Sequence, residues 1–226
     1  MRAIDSRSEA IETVGWKFPH YTAAEAAADR ALHLLALPTA TVAVAWLFLA
    51  AIPTADAEQT VACLIYGCGL IGMLTASAAY NLCRPSRRKE LLRRVDHAMI
   101  FVMIAGTYTP FAVSAFREID GPLLCLVIWS LAATGVAVVL AFPRRFERLL
   151  LMLYLTMGWM VLGMGRSLGY LSTPVLLLLL VGGAAYTIGA LAHIRSRFPF
   201  QNAVWHALVV FGASLHWVAI IRVLAE

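Results

Sequence analysis

Seven stretches of this 226-residue chain contain no Asp, Glu, Lys or Arg, and each is long enough to cross a lipid bilayer as a helix. A spanning helix needs about 20 apolar residues, with a range of roughly 17–25. Seven such stretches in one chain point to a bilayer as the environment in which it folds. They cover residues 31–55, 59–83, 97–116, 121–143, 149–165, 167–194 and 198–221.

The composition excludes two other classes of protein. Hydrophobic residues make up 61% of the chain and charged residues 14%, whereas a soluble domain has about 45–50% and about 25%. Disorder requires low hydrophobicity and high net charge, which this chain lacks. The stretches show none of the apolar–polar alternation of a membrane β-barrel, so we expect helices, which satisfy their own backbone groups in lipid.

The basic residues predict how the helices are oriented. If the N-terminus is cytoplasmic and seven helices cross, fifteen of the eighteen Lys and Arg residues lie on the cytoplasmic side. Arg117, Arg166 and Arg222 are the three exceptions. Cytoplasmic loops of membrane proteins carry such an excess. The sequence therefore predicts an all-α membrane protein, a seven-transmembrane-helix bundle with the N-terminus cytoplasmic and the C-terminus outside. The excess of Lys and Arg on the cytoplasmic side also accounts for the net charge of +5. We therefore expect no nucleic acid as a partner.

Two regions are predicted. Residues 1–30 form a cytoplasmic N-terminal segment, and residues 31–224 form the transmembrane domain. The predicted helices cover residues 31–52, 59–83, 96–116, 121–142, 148–168, 174–194 and 201–223.

Polar residues recur on four of these helices, just inside the predicted cytoplasmic boundary. Positions four apart share one face of a helix, and ionisable groups inside a span are candidates for function. We therefore expect one shared polar cavity. Its candidate residues are Glu25, Asp29 and His33 on the first helix, Ser77 and Asn81 on the second, Asp96 and His97 on the third, and Asn202 and His206 on the seventh.

Three motifs resemble a known family. The string DHAMIFVMIAGTYTP at residues 96–110 resembles the bacterial hemolysin III proteins, which belong with the progestin and adiponectin receptors to the PAQR family. EAAADRALH at residues 25–33 is similar to the family's first-helix motif, where Asn usually stands in place of Asp29. WHALVVFGASLH at residues 205–216 resembles the seventh helix. The resemblance covers nearly the whole chain and implies seven helices with a cytoplasmic N-terminus.

The resemblance also implies a zinc site near the cytoplasmic face, with one His ligand on helix two, two on helix seven, and an Asp that reaches the ion through water. Ser77, Asp96 and His206 match this pattern, but Asn81 and Asn202 stand at the other two ligand positions. A carboxamide is a poor zinc ligand. We therefore expect a degenerate site in which a hydrogen-bonded network replaces tight zinc binding. Zinc stays an open alternative, with His33 and His97 as substitute ligands.

The main functional hypothesis is a hemolysin III-type protein of membrane or lipid homeostasis or sensing. Its partners would be membrane lipids, including a lipid ligand in the bundle, and it would reside in the bacterial inner (plasma) membrane. The oligomeric state is left open.

Two alternatives remain. The first is a zinc-dependent, membrane-embedded hydrolase of amide lipids, similar to a ceramidase. His206 would then help hold the metal, Asp96 would orient or deprotonate its water, and Ser77 would donate to the oxyanion. The second is a pore, as the family name suggests. A pore needs a continuous polar path, whereas the polar residues here gather at one end of the bundle.

Overall fold

The computed structural model describes residues 18–51, 53, 55–195 and 198–226, so most of the predicted N-terminal segment lies outside the described residues. Within the described part, the chain forms seven α-helices and one 3₁₀ helix. These are α1 (Ala23–Ala51), α2 (Ala57–Leu82), α3 (Arg87–Val113), α4 (Gly121–Ala141), α5 (Glu147–Gly158), the 3₁₀ helix Met160–Tyr170, α6 (Thr173–Arg195) and α7 (Gln201–Ala225).

Six of the described helical segments are long and apolar enough to cross a membrane, and one of them, Glu147–Gly165, comprises α5 and the first part of the 3₁₀ helix. The protein is thus an all-α membrane helix bundle. The remaining helix, α3, does not meet the same criterion because its first three turns carry the charged sequence RRKELLRRVD. Large apolar side chains such as Leu35 and Leu49 are exposed on the outside of the bundle, as lipid-facing side chains would be.

Two helices begin at capping residues that lie well before their charge-free runs. Helix α1 begins at Ala23 instead of residue 31, because the Glu25 carboxylate accepts from the Thr22 amide while the Glu25 amide donates to the Thr22 hydroxyl. Helix α3 begins at Arg87 instead of residue 96, since the Ser86 hydroxyl accepts from the Lys89 amide. For α1 and α3, the charge-free run therefore marked the apolar part of the helix and missed its polar first turns, whereas α4 and α7 begin at the predicted residues 121 and 201.

The fifth segment differs most from its expected form, a single helix over residues 148–168. Helix α5 ends at Gly158, and the chain continues as a 3₁₀ helix with a break at Gly165. Gly165 has a positive φ of 54°, a conformation that favours glycine because other residues carry a Cβ. The segment therefore changes direction within the predicted span.

Helix α3 lies at the centre and packs against α2, α4, α5 and α7. Its contact with α4 is close, since a Cβ on Gly135 would lie 2.4 Å from the Phe101 ring. Helices α6 and α7 form a second close pair around Gly182 and Gly212. Consecutive helices run in opposite directions. We call the end formed by the starts of α1, α3, α5 and α7 the basic end, because its connections carry most of the arginines.

An ionic cluster joins three elements at the basic end. The side chain of Glu90 is 1% exposed, and it accepts hydrogen bonds from Arg93 of α3 and from Arg144 before α5. Arg93 also donates to Glu147 of α5 at 3.2 Å. Burial raises the pKa of Glu90, but the hydrogen bonds and charges of Arg93 and Arg144 outweigh it, so this pKa lies below its ordinary value. The cluster therefore holds the start of α5 against α3.

Candidate functional site: a polar cluster inside the bundle

A cavity of about 780 Å³ lies inside the bundle. It extends from the basic end, where Glu25 and Lys89 line it, past Tyr186 to the opposite end of α3, where Phe111 and Phe116 line it. Its exposed surface is mostly apolar, and its polar groups gather toward the basic end. Such a space can hold the acyl chain of a lipid together with part of a polar headgroup.

Three helices bring six polar side chains together in this cavity. Asp29, Ser77 and His206 each lie within about two turns of a helix end at the basic end of the bundle. Because α1 and α7 start there and α2 ends there, the three side chains reach the same depth. The residues one turn away on each helix complete the polar cluster, which consists of Asp29 and His33 on α1, Ser77 and Asn81 on α2, and Asn202 and His206 on α7.

The centre of the polar cluster is a chain of contacts from α1 through α7 to α2. His206 Nδ1 lies 2.5 Å from Asp29 Oδ1, and His206 Nε2 lies 3.4 Å from the Ser77 hydroxyl. His33 Nε2 also approaches Ser77 Oγ, at 3.2 Å. The two imidazole rings meet edge to face with centroids 4.5 Å apart. All four side chains are buried, so this centre is shielded from bulk water.

The two asparagines form their own part of the polar cluster. Asn202 Nδ2 donates to Asn81 Oδ1 at 3.1 Å, and Asn81 Nδ2 donates to the Ser77 carbonyl at 2.9 Å. The Asn81 oxygen is therefore engaged by its neighbour. A carboxamide oxygen is also a weak ligand for zinc. The ligand set that the resemblance implies, at positions 81, 202 and 206, thus does not fit a zinc ion in this chain.

Another set of residues lies close enough together to be a candidate metal site. Asp29, His33 and His206 each offer one ligand atom, and these atoms lie within 4.8 Å of one another. Carboxylate and imidazole are common zinc ligands. From the sequence, Asp29 was expected to belong to the polar cluster without binding a metal, and His33 was expected only as a substitute zinc ligand. The i, i+4 spacing of an acid and a histidine on α1 was the feature of the sequence that could have identified both as candidate ligands.

Asp96, His97 and Glu25 line the cavity outside the polar cluster. Asp96 Oδ2 lies 3.5 Å from His97 Nδ1, and Tyr154 of α5 donates to the His97 carbonyl. Glu25 sits at the cavity mouth, where it bonds Thr22 and the Phe200 amide. Of the two residues predicted to be catalytic, Ser77 therefore lies at the centre of the polar cluster, whereas Asp96 lies on the cavity wall outside it.

Comparisons with known proteins agree with the sequence motifs. A family model described as Haemolysin-III related matches residues 27–217. The chain is 30% identical to the Hemolysin-3 homolog of Bacillus subtilis (strain 168) over 195 residues, which are 86% of this chain and 92% of that protein. It is 32% identical to Hemolysin-3 of Bacillus cereus over 160 residues, 70% of this chain and 73% of that protein. Monocyte to macrophage differentiation factor of Homo sapiens is 30% identical over 176 residues, 73% and 71% of the two chains.

Proposed function

This chain belongs to the haemolysin-III related family, as its motifs predicted, and from that premise we propose that it binds a membrane lipid in its internal cavity and acts in lipid homeostasis or sensing. The observation that carries the proposal is the form of the cavity. It has about 780 Å³, mostly apolar walls and a buried polar cluster near one end. This arrangement suits an amphiphile whose headgroup meets Asp29, Ser77 and His206 while its chain extends toward Tyr186.

The proposal includes a location and a topology. The Bacillus relatives support a bacterial membrane protein, and the basic residues favour the inner (plasma) membrane with the N-terminus in the cytoplasm. Helix α3 would be the seventh span, since it packs against four other helices and carries no charged residue from His97 to Val113. The polar cluster would then face the inner leaflet, where a headgroup can reach it.

Filling the cavity tests the lipid proposal. Gly158 lines the cavity, and a Cβ there would meet no atom within 4 Å, so Gly158→Leu adds a side chain without a backbone clash. We expect this variant to bind a fluorescent short-chain ceramide at least tenfold more weakly, a loss of about 1.4 kcal/mol. The measurement is a fluorescence titration of purified protein in detergent, supported by mass spectrometry of co-purified lipids.

Gly163→Leu is the matched control. Gly163 is in the following 3₁₀ helix, has the same free space around a Cβ, and is absent from the cavity wall. Its affinity for the ceramide should equal that of the wild type. Equal affinities in all three proteins would contradict binding inside the bundle, and equal losses in both variants would point to general damage to this segment.

One contact network favours a second function, the hydrolysis of an amide lipid. Ser77 Oγ lies between His33 and His206, and His206 contacts Asp29, so the polar cluster contains a hydroxyl, bases and a carboxylate within reach of one another. Such groups can move a proton to or from a reacting lipid. If the protein is this enzyme, release of fatty acid from a fluorescent ceramide should disappear in Asp29→Ala and in Ser77→Ala, two members of this network. Binding without any turnover in the wild type leaves lipid sensing as the function.

A further inference from the structure

We propose that Ser77, His206 and Asp29 form a serine–histidine–aspartate triad, which cleaves an acyl lipid through an acyl-serine intermediate and without a metal ion. The inference rests on the second function proposed above, the hydrolysis of an amide lipid, and assigns its nucleophile, its base and the residue that orients the base. The three side chains come from α2, α7 and α1, and the residues are 7–8% exposed. They also line the cavity, so a bound lipid can reach them.

The contacts of His206 have the order that a catalytic triad requires. Its Nδ1 lies 2.5 Å from the Asp29 carboxylate, and its Nε2 lies 3.4 Å from the Ser77 hydroxyl. A carboxylate only accepts hydrogen bonds, so Nδ1 carries the proton and Nε2 presents a lone pair to Ser77. In a triad the carboxylate holds the imidazole in this tautomer and stabilises the imidazolium that forms. Contacts between a catalytic hydroxyl and its base are often longer than an ideal hydrogen bond until substrate binds.

The second histidine faces the same hydroxyl but lies farther from the carboxylate. His33 Nε2 lies 3.2 Å from Ser77 Oγ, while its Nδ1 lies 2.8 Å from the Asp29 carbonyl oxygen and 3.7 Å from the Asp29 carboxylate. The carboxylate is therefore on the Nδ1 side of both rings, and both Nε2 atoms face a hydroxyl, so the three side chains do not converge on one ion. His206 is the base, because its imidazolium lies closest to the negative charge.

Asn81 supplies an N–H group for the oxyanion. Its Nδ2 donates to the Ser77 carbonyl at 2.9 Å and lies 3.4 Å from Ser77 Oγ, so its second proton is directed to the side on which the hydroxyl reacts. Asn202 holds the amide in this orientation by donating to Asn81 Oδ1 at 3.1 Å. A carboxamide is a poor zinc ligand but an effective oxyanion donor. The two asparagines therefore suit acyl transfer better than metal binding.

The form of the cavity places an acyl carbonyl beside Ser77. The cavity surface is mostly apolar and accommodates an acyl chain, whereas the polar groups gather toward the basic end, where a headgroup meets water. In a lipid, the amide or ester carbonyl joins these two parts. The substrate class is therefore an acyl lipid whose carbonyl lies at the level of the polar cluster. The cavity mouth at Glu25 admits the water that the second step consumes.

The reaction has two balanced steps. Ser77 Oγ attacks the acyl carbon while His206 Nε2 takes the hydroxyl proton, and the amide C–N bond breaks as His206 gives that proton to the leaving nitrogen. The products are a free amine and an acyl ester on Ser77. Water then attacks the ester and gives a proton to His206, and the bond from the acyl carbon to Ser77 Oγ breaks as His206 returns the proton to Ser77. A fatty acid leaves, and the triad is restored.

Covalent labelling of the wild-type full-length chain tests the nucleophile. A long-chain alkyl fluorophosphonate reacts with an activated serine, forming an O–P bond and releasing fluoride. Purified protein in detergent, incubated with this probe and EDTA, should gain one phosphonyl group per chain. Peptide mass spectrometry should locate the group on Ser77. This measurement needs no variant and no turnover.

Variants separate the triad from the neighbouring polar groups. His206→Gln and Asp29→Asn should slow labelling at least about 100-fold, since the first lacks the base and the second favours the wrong tautomer. His33→Gln should slow it less than about tenfold, because His33 does not take the proton. Ser167→Ala is the matched control. Ser167 is also buried, but it donates to Asp120 and not to an imidazole, so its removal should leave the rate unchanged.

Turnover of a fluorescent ceramide gives a second reading. Asp29→Asn should lower kcat and leave KM unchanged, as expected for a positioning residue that acts through His206. Asn81→Ala should lower kcat on the order of 100-fold, the usual effect of losing one oxyanion donor. Size-exclusion profiles equal to that of the wild type identify variants that fold.

Three results would overturn the triad. Wild-type protein that is not labelled at Ser77 would do so, as would labelling that survives His206→Gln but not His33→Gln. Ceramide turnover that stops with EDTA and returns with zinc would assign the hydrolysis to a metal ion. The ceramide titration separates these failures from failure of the lipid proposal. Unchanged binding with an unlabelled Ser77 leaves lipid sensing in place, whereas a labelled Ser77 in a protein that binds no ceramide supports the triad and contradicts the lipid ligand.

Discussion

Replacing Glu90 by glutamine is expected to destabilise the folded protein by about 3 kcal/mol. The Glu90 side chain is 1% exposed and faces Arg93 and Arg144, whose guanidinium groups would remain in place beside a neutral amide. Removing the carboxylate from a buried ion pair costs more than the pair itself is worth, because Arg93 is 9% exposed and would keep only the exposed Glu147 as a counter-charge. Thermal unfolding in detergent should show a fall in Tm on the order of 10 °C.

Glu147→Gln is the control for this prediction. Glu147 also contacts Arg93, but its side chain is 58% exposed, so the loss should stay below about 1 kcal/mol. Equal effects of the two substitutions would contradict the role given to burial.

The pH dependence provides an independent reading of Glu90. Since the folded-state pKa of Glu90 is lowered, its contribution to stability is complete above the ordinary value of 4.5 and is lost as the pH falls through the folded pKa. We therefore expect wild-type Tm to fall more steeply below pH 4.5 than the Tm of Glu90→Gln. If Tm fell with pH to the same extent in both proteins, the charge of the Glu90 carboxylate would contribute nothing to stability.

The sequence predicted the bundle well because lipid imposes a simple rule on helices. A charge-free run long enough to span a bilayer has few other uses, so the helical segments could be located from charge alone. Their ends could not, since Thr22 with Glu25 and Ser86 cap polar turns that extend beyond the apolar runs. The break at Gly165 was missed as well, because glycine is also compatible with a continuous membrane helix.

The polar cluster was only partly predictable from the residues. Spacing of four along a helix indicated that Asp29 with His33, Ser77 with Asn81, and Asn202 with His206 share faces and depth. It could not indicate which atoms meet, since Asp29 and His206 are 177 positions apart and their contact depends on how α1 packs against α7. The ligand positions implied by the family resemblance are occupied by Asn81 and Asn202, and the resemblance assigned no ligand role to Asp29 on α1.

The contact between Asp29 and His206 joins α1 to α7 inside the polar cluster, and Trp217 of α7 joins the same two helices by packing on Trp46. Asp29 is 7% exposed, and its Oδ1 contacts His206 at 2.5 Å. His206→Leu removes that partner and leaves a carboxyl group buried in the bundle, so we expect a loss of about 3–5 kcal/mol. The double variant Asp29→Leu with His206→Leu removes both polar groups, and it should be more stable than His206→Leu alone.

A double-mutant cycle measured by unfolding in detergent, with a chelator present to remove any metal contribution, gives the coupling between the two side chains. We expect a coupling on the order of 2 kcal/mol, since the pair is in direct contact and shielded from water. The bond from His33 to the Asp29 carbonyl involves the backbone and should persist in every variant. Additive effects of the two substitutions would mean that the paired groups do not hold α1 against α7, and the stability of the polar cluster would then have to come from Ser77 and the two asparagines.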